Sequence, residues 1–86
     1  MLEEHKVDAQ QTLDELFSEG LLPFKLNARR VESLGPEEYI VRFHDSRLHS
    51  LDISCLEGQC FKDVFRAAVL ERVGRMSGPL RGKTAR

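Results

Sequence analysis

The sequence predicts an α+β fold, a two-layer sandwich in the order helix–strand–strand–strand–helix with an antiparallel three-stranded meander. Three observations predict it. Apolar residues recur at helical spacing near the start of the chain and again after residue 60. Between those stretches they alternate with polar residues in three short runs. The connections between the runs are too short for crossovers, so neighbouring strands are antiparallel.

In the first helix, Asp8 followed by Gln11 forms a capping-box pattern that sets an expected start. Ala9, Leu13, Leu16 and Phe17 form one narrow apolar stripe, and Gly20 supplies a left-handed stop. The first strand opens at Leu22-Pro23, with Phe24, Leu26 and Ala28 alternating against Lys25, Asn27 and Arg29. Val31 then has the wrong parity, and a bulge near Arg30-Val31 restores it. Leu34-Gly35-Pro36-Glu37 is a turn.

Tyr39, Val41 and Phe43 define the second strand, and Leu51, Ile53 and Cys55 the third. The register between them follows from facing. A two-residue turn at Asp45-Ser46 sets Leu51 opposite Ile40, whereas a three-residue turn, Asp45-Ser46-Arg47, pairs Val41 with Leu51 and Tyr39 with Ile53. The second choice gathers the apolar residues on one face and is the expected one. The helices then cover the face of Phe24, Leu26, Tyr39, Val41, Phe43, Leu51 and Ile53.

Glu57-Gly58-Gln59 breaks the chain before the last helix, expected from about Cys60 to Met76 and ended by Ser77-Gly78-Pro79. Its core sector holds Phe61, Val64, Phe65, Ala68, Val69 and Met76. Arg72 and Arg75 also fall in that sector near its end, so either the helix outruns the sheet or Arg72 pairs with an acid of the first helix. Residues 1–77 are expected to form a single domain, with 78–86 a flexible basic tail.

Composition narrows the function. With 41% apolar and 31% charged residues, the 86-residue chain is an ordinary globular sequence rather than a disordered one. No apolar run has the ~18 residues of a membrane span, and the acidic start MLEEHKVDAQQ lacks a secretory pattern, so the expected location is cytoplasmic, away from membranes. Cys55 and Cys60 are too few for a disulfide-built fold and are expected as small buried hydrophobes. Net charge is −1, but residues 1–20 carry six acids against Lys6, while residues 61–86 carry seven bases against Asp63 and Glu71. A general nucleic-acid binder has an overall basic excess, which is absent.

Candidate chemistry is sparse. FHDSRLHSLD, residues 43–52, packs Asp45, Arg47, His44 and His49 together, but the expected register sends the two histidines to opposite sides of the sheet. A metal needs three or four convergent ligands, so no metal and no cofactor is expected, and the stretch is read as a hairpin tip. GPLRGKT, residues 78–84, has three residues between its glycines where a phosphate-binding loop needs four, and no strand precedes it. No nucleophile elbow or other hydrolase constellation is present, and the chain is read as non-enzymatic.

The stretch from Glu32 to Val69, and the element order, resemble double-stranded RNA-binding domains. GPEEYIV, residues 35–41, resembles the family's Gly-Pro turn before its second strand. GQCFKDVFRAAV, residues 58–69, resembles the start of its last helix, sharing Gly58, Lys62 and an Ala-Ala pair, Ala67-Ala68. Phe61 and Phe65 stand in place of two basic residues, and the turn after Pro36 is too short for the family's histidine. The resemblance therefore implies that RNA contacts have given way to protein contacts.

Two surfaces remain. Lys25, Arg29, Arg42 and His44, with Asn27 and Ile40, are expected on the open sheet face, where a basic stripe can meet an anion or a nucleic-acid backbone. Leu70, Val73 and Met76 are expected as an unused apolar patch on the last helix, a candidate homo-oligomer interface. The leading expectation is an interaction module that self-associates and binds a macromolecular partner. A degenerate double-stranded-RNA-binding-like domain using the basic face comes second, and a small-molecule binder third.

Overall fold

The computed structural model describes the backbone of residues 2–85 and the side chains of residues 3–76. The elements are α1 (Leu2–Ser18), β1 (Ala28–Gly35), β2 (Glu38–Phe43), a short 3-10 turn (Ser46–Leu48), β3 (Ser50–Ser54) and α2 (Phe61–Ala85). The three strands form one antiparallel sheet in the order β1-β2-β3. The α+β architecture and the element order are those the periodicity predicts.

α1 starts six residues before the expected cap, at Leu2 rather than Asp8. Asp8 is an interior residue whose carbonyl accepts the Thr12 hydroxyl at 2.9 Å. What holds the early turns is His5, whose ring lies 4.6 Å from Tyr39 and 4.7 Å from Phe61. Ala9, Leu13 and Leu16 are fully buried, but Phe17 is exposed. The stop is as expected. Gly20 has φ +80°, with Gly20 N–H donating to Phe17 O and Leu21 N–H to Leu16 O, the paired bonds of a Schellman end.

The alternation from Leu22 to Asn27 places Leu22 and Leu26 in the core, yet the ladder begins only at Ala28. Gln10 of α1 covers the outer edge at this point, on the side away from β2. Its carboxamide accepts Ala28 N–H at 2.8 Å and donates to Leu26 O at 3.4 Å, taking backbone groups that a neighbouring strand would otherwise engage. A bulge is present, one residue before the expected Arg30-Val31. Ala28 pairs with Phe43 and Arg30 with Arg42, so Arg29 is the extra residue and Val31 turns inward opposite Val41. A second irregularity makes Leu34 extra before the turn.

That turn places Pro36 and Glu37 between Gly35 and Glu38, with Glu37 at φ 65°. Left-handed backbone suits Gly or Asn and costs a β-carbon-bearing Glu on the order of 1–2 kcal/mol.

Between β2 and β3 the expected register holds: Val41 faces Leu51 and Tyr39 faces Ile53. The connection itself differs from a simple three-residue turn. Arg47 is not left-handed; instead Asp45 caps a 3-10 turn by accepting Arg47 N–H at 2.8 Å. The turn drops Leu48 into the core, where it is fully buried. The Arg47 guanidinium binds both Asp45 carboxylate oxygens, at 3.1 and 2.9 Å, and sits 3.8 Å from the centre of the Phe24 ring.

α2 buries Phe61, Phe65, Val69 and Val73, and Phe65 stacks between Phe61 and Phe43. α1 packs on β1 and α2 on β3, and the two helices also touch each other. The helix runs past the stop expected at Ser77-Gly78-Pro79, as far as Ala85. Gly and Pro bias against helix by about 1 and 3 kcal/mol, which does not by itself fix an end. The flexible tail expected at 78–86 lies outside the residues whose side chains are described.

Leu48→Ala should lower stability by about 3 kcal/mol, as for other fully buried leucines, read from the urea midpoint. Glu37→Gly should raise it by about 0.5–1 kcal/mol, because relief of the left-handed residue exceeds the added freedom of the unfolded chain.

Candidate functional site

Both helices cover one side of the sheet, so the other side is open. Arg30 and Glu32 of β1, Ile40 and Arg42 of β2, and Ser50, Asp52 and Ser54 of β3 have the opposite parity to the buried residues and occupy that side. Cross-strand pairing puts Arg30 beside Arg42, Glu32 beside Ile40, and Ile40 beside Asp52. Ile40 is half-buried there among charges. Leu34, 58% exposed, shares a shallow hollow with Glu38, Asp52 and Ser54.

Glu32 organises the charge. One of its oxygens meets Arg30 Nε at 2.6 Å and Arg42 Nε at 3.2 Å. The bond from Arg42, together with the two nearby positive charges, holds the Glu32 carboxyl below its ordinary value of 4.5. The two arginines on this side are thus engaged within the protein, and Glu38 and Asp52 add acid to the same side of the sheet.

The expected basic stripe is accordingly divided. Arg42 turns to Glu32. Lys25 precedes the ladder, Arg29 is the bulge residue and His44 lies past the end of β2. His44 N–H donates to Asn27 O at 3.1 Å, so these three exposed residues lie near one end of the sheet rather than along its face. Two permanent cations release few counterions, and the expected salt slope is only about two. At the start of α2, Lys62 donates to Gln11 at 3.2 Å and Arg66 pairs with Glu19 at 3.1 Å. The one basic position shared with double-stranded RNA-binding domains, Lys62, therefore faces α1.

The expected apolar patch on α2 is corrected. Val73 is 5% exposed and belongs to the core, Leu70 is half-buried against it, and Met76 is exposed. The flank carrying Lys62 and Arg66 is the one α1 packs against. Arg72 does not reach an acid of α1. It is half-buried and donates to Ser50 O at 3.4 Å, while Arg75 pairs with Glu71 at 3.5 Å.

The histidines and cysteines do not assemble. Among the described residues no three His, Cys, Asp or Glu side chains are placed to hold a metal ion. Cys55 is buried, and desolvation pushes its thiol above the ordinary value; Cys60 is exposed, against expectation, because it sits at the rim where α2 begins. At the hairpin tip, the bond from the Arg47 side chain, with that from Arg47 N–H, holds Asp45 below its ordinary 3.8. The tip is a structural unit. Among the described residues no helix is long and apolar enough to cross a membrane.

Comparison with protein-family models, with curated proteins and with solved structures finds no match.

Glu32 and Asp45 have lowered folded-state values, so their pairing stabilises the fold at pH above the unfolded values of 4.5 and 3.8. That contribution is lost as pH falls through the lowered folded values. Glu32→Gln combined with Asp45→Asn should flatten the loss of urea resistance on acidification below about pH 4.5, with little change in its slope between pH 6 and 8.

Proposed function

We propose that this chain is a cytoplasmic, non-enzymatic interaction module that self-associates and binds a protein partner. The observation that carries this is the uncovered side of the sheet, where apolar Leu34 and Ile40 are framed by Glu32, Glu38 and Asp52 and the local arginines are held by Glu32. Such a surface suits a partner with apolar and basic groups, and it repels phosphate. The internal pairing of Lys62 and Arg66 supports the same preference for protein over nucleic acid.

Light scattering over a hundredfold concentration range tests self-association: a mass rising above that of one chain is expected, and a single-chain mass throughout overturns it. Passage over duplex RNA and DNA at low salt tests the partner class. No retention is expected, and salt-dependent retention that is lost in Arg29→Glu would overturn the preference for protein.

A further inference from the structure

The sheet has two edges, and they are treated differently. The β1 edge is engaged at its start by Gln10 and disturbed by extra residues at Arg29 and Leu34. Bulges and covering groups of this kind keep other strands away. β3 pairs with β2 through five consecutive partners without a shift, and among the described residues no other strand pairs with its far side.

The phase of its backbone follows from two bonds. Phe43 N–H donates to His49 O, and Cys55 N–H donates to Glu37 O. Odd-numbered residues from 49 to 55 therefore turn their backbone groups toward β2, and Ser50, Asp52 and Ser54 turn theirs outward. On that outward row the Ser50 carbonyl accepts the long bond from Arg72.

We propose that this edge receives a second copy of the chain, β3 against β3, antiparallel about a two-fold axis through Asp52. The inference rests on the self-association proposed above and names its surface. The strand reads Ser-Leu-Asp-Ile-Ser, nearly the same in both directions. Rotation sets Ser50 against Ser54 of the second copy, and Leu51 against its Ile53. Leu51 and Ile53 already belong to the covered face, so the apolar row continues from one copy into the next. The outward N–H and C=O groups of Ser50, Asp52 and Ser54 meet their counterparts in the other copy, the Ser50 carbonyl accepting a second donor beside Arg72. Alongside, α2 lines a shallow groove with Ala68, Glu71, Arg72 and Arg75. Glu71 and Arg75 have opposite charges, so two-fold rotation offers each an unlike partner across the joint.

Asp52 is the opposing element. The axis places it against its own copy, and like charges directly opposite weaken a strand pair. The joint is therefore weakened by this pair and tightens when the charge is removed by substitution.

Sedimentation of the full chain, with amide hydrogen exchange at low and high concentration, tests this. The wild type should dimerise with concentration-dependent protection of the Asp52 and Ser54 amides. Asp52→Asn should dimerise roughly two- to fivefold more tightly. Asp52→Pro, which removes an outward N–H at an edge position that tolerates Pro, should stay folded by circular dichroism and be monomeric. Dimerisation without concentration-dependent protection of those amides overturns the edge while leaving self-association standing. If the wild type remains monomeric, both proposals fall, whatever Asp52→Asn does.

Discussion

The structure depends on parity. Side chains of a strand alternate between faces, so three strands can share one apolar face only if every pairing preserves the alternation. Val41 opposite Leu51 achieves this between β2 and β3. β1 enters out of step, and the extra residue at Arg29 corrects it, turning Val31 onto the covered side opposite Val41. A slip of one residue in either pairing would carry the buried row into water. With a core drawn from so short a chain, few other contacts could offset that loss.

The covered face determines what the open side can do. Two helices share a three-stranded sheet, so α1 takes β1, α2 takes β3, and their adjoining flanks meet through Lys62–Gln11 and Arg66–Glu19. The basic residues at the start of α2 are thereby drawn into the protein. On the far side, Glu32 does the same to Arg30 and Arg42. A chain with unevenly distributed charge thus neutralises several cations internally, and the surface left over is apolar with an acidic margin.

Much of the architecture was legible in the sequence because it follows from short-range periodicity. Element order, the turn at Pro36, the left-handed Gly20, the bulge and the Val41–Leu51 register all arise within a few residues of one another. What was not legible depends on contacts between distant parts of the chain. The early start of α1 needs His5 against Tyr39 and Phe61, and the covered outer edge at Ala28 needs Gln10 from α1. A helical wheel of α2 alone leaves Val73 to solvent, because it does not include the tertiary neighbours that bury it. Alternation put Lys25, Arg29 and Arg42 in one row, but could not show that Glu32 would claim Arg42. Leu48 lay in a segment with no regular period, so nothing local marked it as core.

The ring of His5, wedged against Tyr39 and Phe61, ties the opening turn of α1 to the first residue of α2. The opening turn therefore belongs to the packed structure. Trimming the chain back to the apparent cap at Asp8 would strip one ring from this aromatic trio and leave Tyr39 and Phe61 wetted. A shortened version would be a looser protein at the very place where both helices begin.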